Sequence, residues 1–161
     1  MFINKKNTTN AHQFFEKTKK ILDWSDFNVV NLEGVITESK VRFYDKERFP
    51  YALSLDKKIL DVFKNYKINY FTRANNHSMD FGPEEMLKTS QILNQEHFYY
   101  AGVGRNDKEA FQPIVIEKDG IKIAIYSFTT TYPKEAWAQK EEPGVAAPTV
   151  AKLIEILKQA T

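Results

Sequence analysis

The segment YFTRANNHSMDFG, Tyr70 to Gly82, gathers polar groups of a kind that can do chemistry. Asn75, Asn76, His77 and Asp80 follow an apolar start, and Gly82-Pro83 closes the run where a helical pattern begins. Asparagine and aspartate oxygens with a histidine nitrogen are hard-to-borderline donors, suited to Mn, Mg, Fe or Zn. A helix N-terminus directly after them adds positive potential for an anion such as phosphate. Upstream, the run Asn31-Leu32-Glu33-Gly34 ends a second apolar stretch, and a Glu33 carboxylate from a neighbouring strand would help to hold a metal. Two roles are then open to His77: metal ligand, or proton donor to a leaving group.

A plainer reading uses the same residues for the fold alone. Asn75 and Asn76 would take the left-handed turn that ends a strand. Asp80 would accept from the first amides of the helix near Pro83, leaving His77 as a solvated loop residue. On spacing alone the plainer reading has the better claim, because short motifs of this kind recur by chance. Other candidates are weaker. AGVGRN, 101–106, resembles a phosphate-cradling glycine loop, but a tight turn explains it better. His12 and His97 have no carboxylates at ligand spacing, Lys17, Lys19 and Lys20 read as a solvated helix face, and Thr129 to Thr131 read as a strand end. No Ser-His-Asp arrangement has support.

These residues need a scaffold, and helices alternate with short apolar strands along the chain. Helices are expected over 8–22 with Thr9 or Asn10 as N-cap, over 55–66 capped by Asp56, over 82–95 with Pro83 first, and over 147–160. Strands are expected at 27–32, 68–74 and 97–102, with a hairpin over 113–129 turning at Asp119-Gly120. Residues 37–55 read as a long aromatic loop. The alternation predicts an α/β sheet in one domain spanning 1–161, with its ligand site outside the carboxyl ends of the strands. Those ends carry Asn31 to Gly34, Asn75 to His77, Ala101 to Gly104 and Thr129 to Thr131.

Composition narrows the field. The 161 residues carry 23 basic and 21 acidic side chains, a net charge of +2 that gives no reason to expect nucleic acid or a membrane surface as partner. The absence of cysteine excludes disulfides, thiolate nucleophiles and cysteine-ligated metals. No apolar run is long enough to span a membrane, and residues 1–10 lack the apolar core of a signal peptide. The chain reads as soluble, with its compartment left open.

The segments DFNVVNLEGVIT, FTRANNHSMDFGPEEMLKTSQIL, YYAGVGRNDKEAFQPIVIEKDGIKIAIYSFTTTY and EEPGVA, in this order, closely resemble the CapA family of poly-γ-glutamate capsule biosynthesis proteins. The likeness covers about residues 12–147. It implies a metallophosphatase-like α/β/β/α sandwich, related to the calcineurin-like phosphatases, with a metal site at the strand ends. By the same resemblance Glu33 and Asn76 are metal ligands, His77 acts on the substrate and Asp80 supports them, with Asn31 and Asn75 as further supporting or substrate-binding candidates. The implied cofactor is a divalent metal and the implied substrate an anionic phosphate ester or polyglutamate. The family is often associated with the cell envelope.

Departures from the family pattern set further expectations. The usual first strand ending in Gly-Asp has no counterpart before His12, and the later His-Trp-Gly-Gln-Glu and Gly-His-His-Pro-His segments are missing. The sandwich is therefore expected to be incomplete, lacking its first strand and carboxyl-terminal half. Metal should be held weakly or not at all, and the isolated chain should be inactive. A homo-oligomer or a complementing carboxyl-terminal half is the expected partner. The alternative is a non-catalytic binding or assembly module with a degenerate site. Arg73 stands where the family has a small or apolar residue, and is expected either to grip a carboxylate or phosphate or to pair with an acid such as Glu33.

Overall fold

A computed structural model describes residues 7–45, 47–131 and 133–159. Its centre is a parallel three-stranded sheet, in which β4 (Ile68–Thr72) lies between β1 (Asn28–Asn31) and β5 (Tyr99–Ala101). Parallel neighbours require crossovers, supplied here by α2 (Ile59–Asn65) before β4 and α3 (Gly82–Gln95) before β5. The mixed α/β architecture expected from the sequence is present.

The register explains the two faces. Val30, Phe71 and Tyr100 stand in one cross-strand row and point to the helices. There they meet Ile59, Leu60 and Phe63 of α2, Leu93 of α3, and Phe15 and Leu22 of α1 (Asn7–Trp24). This is the main core, and its apolar burial is the largest favourable contribution to folding. The row Val29, Tyr70 and Tyr99 points the other way. Tyr70 stacks on Tyr99 with ring centroids 5.3 Å apart and meets Phe27 edge-on. The hairpin of β7 (Ile114–Lys118) and β8 (Ile121–Ile125) contributes Ile114 and Ile116 to this side. Its cover is partial, since Tyr99 remains 56% exposed and Val29 38%.

The structure corrects several local expectations. The segment read as a long loop ends in β3 (Ser54–Leu55), which pairs in parallel with β2 (Val35–Ile36). Two-residue strands carry no periodicity to read. Helix α1 already includes Thr9 and Asn10, so neither caps it. The Asp56 carboxylate accepts from the Lys58 amide, one turn ahead of α2, and so shapes the approach to the helix. AGVGRN ends β5, forms β6 (Val103–Gly104), and lets Asn106 cap the short α4 (Asp107–Ala110) by accepting from the Glu109 amide. Helix α5 (Val150–Gln159) starts three residues later than read; Ala160 lies outside the described residues. β6 pairs with β9 (Gly144–Val145), an element the sequence did not announce.

Gly102 is where these pieces meet. Its φ of +100° suits glycine, and an added Cβ would lie 2.5 Å from Ser127 Oγ and 2.6 Å from the Ala74 amide. Its carbonyl accepts from the Ala146 amide, tying the segment around β9 to the sheet end. Gly102→Ala is expected to lower stability by about 2–4 kcal/mol, backbone strain and steric overlap adding. Urea denaturation checks this, and an unchanged midpoint would contradict the packing described.

Candidate functional site

β1 and β4 run parallel and deliver their following residues to the same end of the sheet. Beyond β1 come Leu32 and Glu33; beyond β4 comes the turn from Arg73 to Phe81. The side chain of Asn75 joins the two. Its Nδ2 donates to Asn31 Oδ1 at 3.0 Å and to the Leu32 carbonyl at 3.1 Å. Its Oδ1 accepts from the His77 amide at 3.0 Å and from Ser78 Oγ at 3.2 Å. Ser78 Oγ also lies against the Arg73 carbonyl, closing the turn from within.

This clamp sets His77 facing Glu33. His77 Nδ1 lies 2.8 Å from Asp80 Oδ2, so the ring donates its Nδ1 proton to a buried carboxylate. The same oxygen accepts from the Leu53 amide at 2.6 Å, and the Asp80 carbonyl accepts from the Phe43 amide at 2.9 Å. Asp80 is thus held by the aromatic segment that crosses over it. The other ring nitrogen, Nε2, looks out toward Glu33 Oε1 at 3.9 Å, too far for a hydrogen bond but close for an ion pair. The Glu33 side chain is half exposed, whereas that of His77 is mostly covered.

The geometry departs from the plainer reading of these residues at two points. Among the described residues only Lys67, His97 and Asp119 take positive φ outside glycine, so neither asparagine forms a left-handed turn. Asp80 does not cap α3, whose first turn has no side-chain cap; it orients His77 instead. Asn76 is half-buried beside His77, and its amide makes no hydrogen bond among the described residues. Arg73 turns away from this rim. It is fully buried, with Nη1 donating to Ser90 Oγ at 2.6 Å, Nη2 to the Met86 carbonyl at 3.1 Å, and its guanidinium 5.4 Å from the Tyr100 ring centroid. Burial lowers its pKa to about 10, which leaves it charged at neutral pH. His12 sits on α1 and His97 follows α3, neither at the rim.

Sequence reasoning missed three contributors. Leu53 acts through its backbone and has no sequence signature. Ser78 lay inside the motif but was not singled out. Ser127, which accepts from the Ala74 amide at 3.0 Å, stands two residues before the threonines that were considered. Thr129 and Thr131 bond to each other, Oγ1 to Oγ1 at 2.6 Å.

Residues 2–160 match the family model described as bacterial capsule synthesis protein PGA_cap. The chain belongs to that family. It is 30% identical over 137 residues to the PGA biosynthesis protein CapA of Bacillus subtilis (strain 168), covering 84% of this chain and 35% of that protein. It is 25% identical over 138 residues to the capsule biosynthesis protein CapA of Bacillus anthracis, covering 86% and 34%. The chain thus spans about a third of the length of these relatives.

The hydrogen bond from Asp80 is the largest influence on His77 and raises its pKa above 6.5, with Asp80 and Glu33 charges adding and desolvation opposing. A raised folded-state pKa means that the imidazolium stabilises the fold. That contribution is complete below the unfolded value near 6.5 and is lost as pH rises through the folded value. In metal-free buffer the His77 ring protons are therefore expected to titrate above 6.5 by NMR, and Asp80→Asn should bring the midpoint down. A wild-type midpoint at or below 6.5 would contradict the contact.

Proposed function

We propose that this PGA_cap chain carries part of a metallophosphatase-like site acting on an anionic substrate in capsule biosynthesis, either a phosphate ester or polyglutamate. The observation that carries the reading is the Asp80–His77–Glu33 array at the carboxyl ends of two parallel strands. The α/β/β/α sandwich belongs to the same proposal; the partly covered row Val29, Tyr70 and Tyr99 has room for a second layer.

The donor set fits a divalent ion in kind and falls short in number. Glu33 presents an exposed carboxylate and Asn76 an unengaged amide oxygen, the hard donors such an ion prefers. Among the described residues no group of three or more histidine, aspartate or glutamate side chains forms a metal cluster. Glu33 and Asn76 would hold the ion, which when bound would polarise a phosphoryl or carbonyl oxygen. His77 manages the proton. Its Nδ1 is fixed by Asp80, its Nε2 faces the open rim, and its raised pKa favours the protonated form that can donate to a leaving oxygen. Two protein donors give weak binding, because affinity follows ligand number and rigidity. The same shortage favours a second reading, a binding or assembly module in which the rim holds an anion without turning it over.

Titration with Mn2+ tests the site. Paramagnetic broadening is expected to be selective for residues 33, 76 and 77, to need high metal concentration, and to vanish in Glu33→Ala. Hydrolysis of an aryl phosphate by this chain should stay at the level of metal-containing buffer. Absent or unselective broadening would refute the metal assignment. Metal-dependent turnover that is lost in His77→Ala would refute the claim that two donors are too few.

A further inference from the structure

The turn that carries Asn75, Asn76, His77 and Asp80 starts at Arg73 and ends where α3 begins at Gly82. One side chain joins its two ends. The Arg73 guanidinium reaches across to α3, donating from Nη1 to Ser90 Oγ and from Nη2 to the Met86 carbonyl. Ser90 lies one helical turn beyond Met86, and its hydroxyl donates to the same carbonyl at 3.2 Å. The guanidinium therefore grips one turn of the helix at two points. Through its backbone, Arg73 donates to the Ala101 carbonyl at 2.9 Å and accepts from the Asn75 amide at 2.9 Å. Strand β5, helix α3 and the turn thus meet at one residue.

As a source of stability this grip is poor. A guanidinium has five N–H donors, and Nε is buried here with no partner. Neither of the bonds goes to a carboxylate. The Tyr100 ring, 5.4 Å from the guanidinium, offsets the missing counter-charge only in part. The side chain is 0% exposed, so its surroundings are closed and no further segment of a longer protein can reach it. A dry cation held by neutral oxygens is matched or surpassed in stability by an apolar side chain of similar volume. Its removal would leave no orphan on α3, because the Ser90 hydroxyl keeps the Met86 carbonyl as acceptor.

What the arginine supplies, and an apolar side chain would not, is a fixed distance between the two ends of the turn. We infer that Arg73 is a positioning residue, whose guanidinium staples the start of the turn to α3 and so sets the geometry of the rim while lowering the stability of the fold. Its value to function rests on the rim being the site proposed above; the staple itself does not.

Arg73→Met in the metal-free chain tests this with two readouts. The urea midpoint should equal or exceed that of the wild type. Native-state exchange of the Asn75, His77 and Asp80 amides should nonetheless be roughly tenfold faster, while the amides of the β1–β4 ladder are not accelerated. Arg73→Lys keeps the charge but has a single nitrogen, and should leave the same turn amides fast while lowering the midpoint. A lower midpoint or failure to fold in Arg73→Met would make Arg73 an ordinary stabilising contact and overturn the inference. Unchanged exchange in the turn overturns it too, as does acceleration spread evenly over the chain or slow exchange restored by lysine. Neither readout involves metal, so a failed metal assignment at Glu33 and Asn76 shows separately, in the Mn2+ titration.

Discussion

The buried amide of Asn75 is the contact on which the rim depends. A neutral amide offers two donor protons and two acceptor lone pairs, and here all four are used. Two reach back to the segment leaving β1, and two hold the start of the turn leaving β4. Away from water each such bond is strong, and each partner left without one would cost about 1–3 kcal/mol. Beside the Leu32 amide, which is bonded to the Thr72 carbonyl, this side chain ties the segment leaving β1 to the turn and so helps to keep Glu33 and His77 facing.

The rest of the site is arranged around that clamp. Asp80 gives His77 its orientation and charge preference, and is itself pinned by the amide of Leu53. The segment between β2 and β3 thus takes part in the rim through the Leu53 backbone. Beneath the turn, Arg73 is a buried cation whose hydrogen-bond partners among the described residues are neutral oxygens. Burying a charge without a carboxylate is costly. The Tyr100 ring offsets part of that cost, and the guanidinium fastens the turn to α3.

What could be read beforehand follows from where the physics leaves a trace in residue order. Pro83 and the acidic Glu84 and Glu85 mark the start of α3 because a helix N-terminus tolerates a missing amide and favours negative charge. Asp119-Gly120 marks the hairpin because its turn needs positive φ at both positions, as observed. That the segments carrying Glu33 and Asn75 to Asp80 leave the same end of the sheet was legible from the rule that parallel strands present their carboxyl ends together. The β2–β3 pair was not, since strands of two residues have no period. The depth of Arg73 was not either, because a lone arginine ordinarily reads as a surface group. Nor could residue order tell that Asp80 serves His77 and not the helix behind it, a choice made by the distant Leu53.

Amide hydrogen exchange tests the clamp most directly. The His77 and Leu53 amides, though in irregular segments, are expected to exchange slowly in the wild-type chain. In Asn75→Ala the His77 amide should lose that protection, while amides bonded within the β1–β4 ladder keep theirs. Fast exchange at His77 in the wild type, or protection unchanged by the substitution, would contradict the claim that Asn75 holds the rim together.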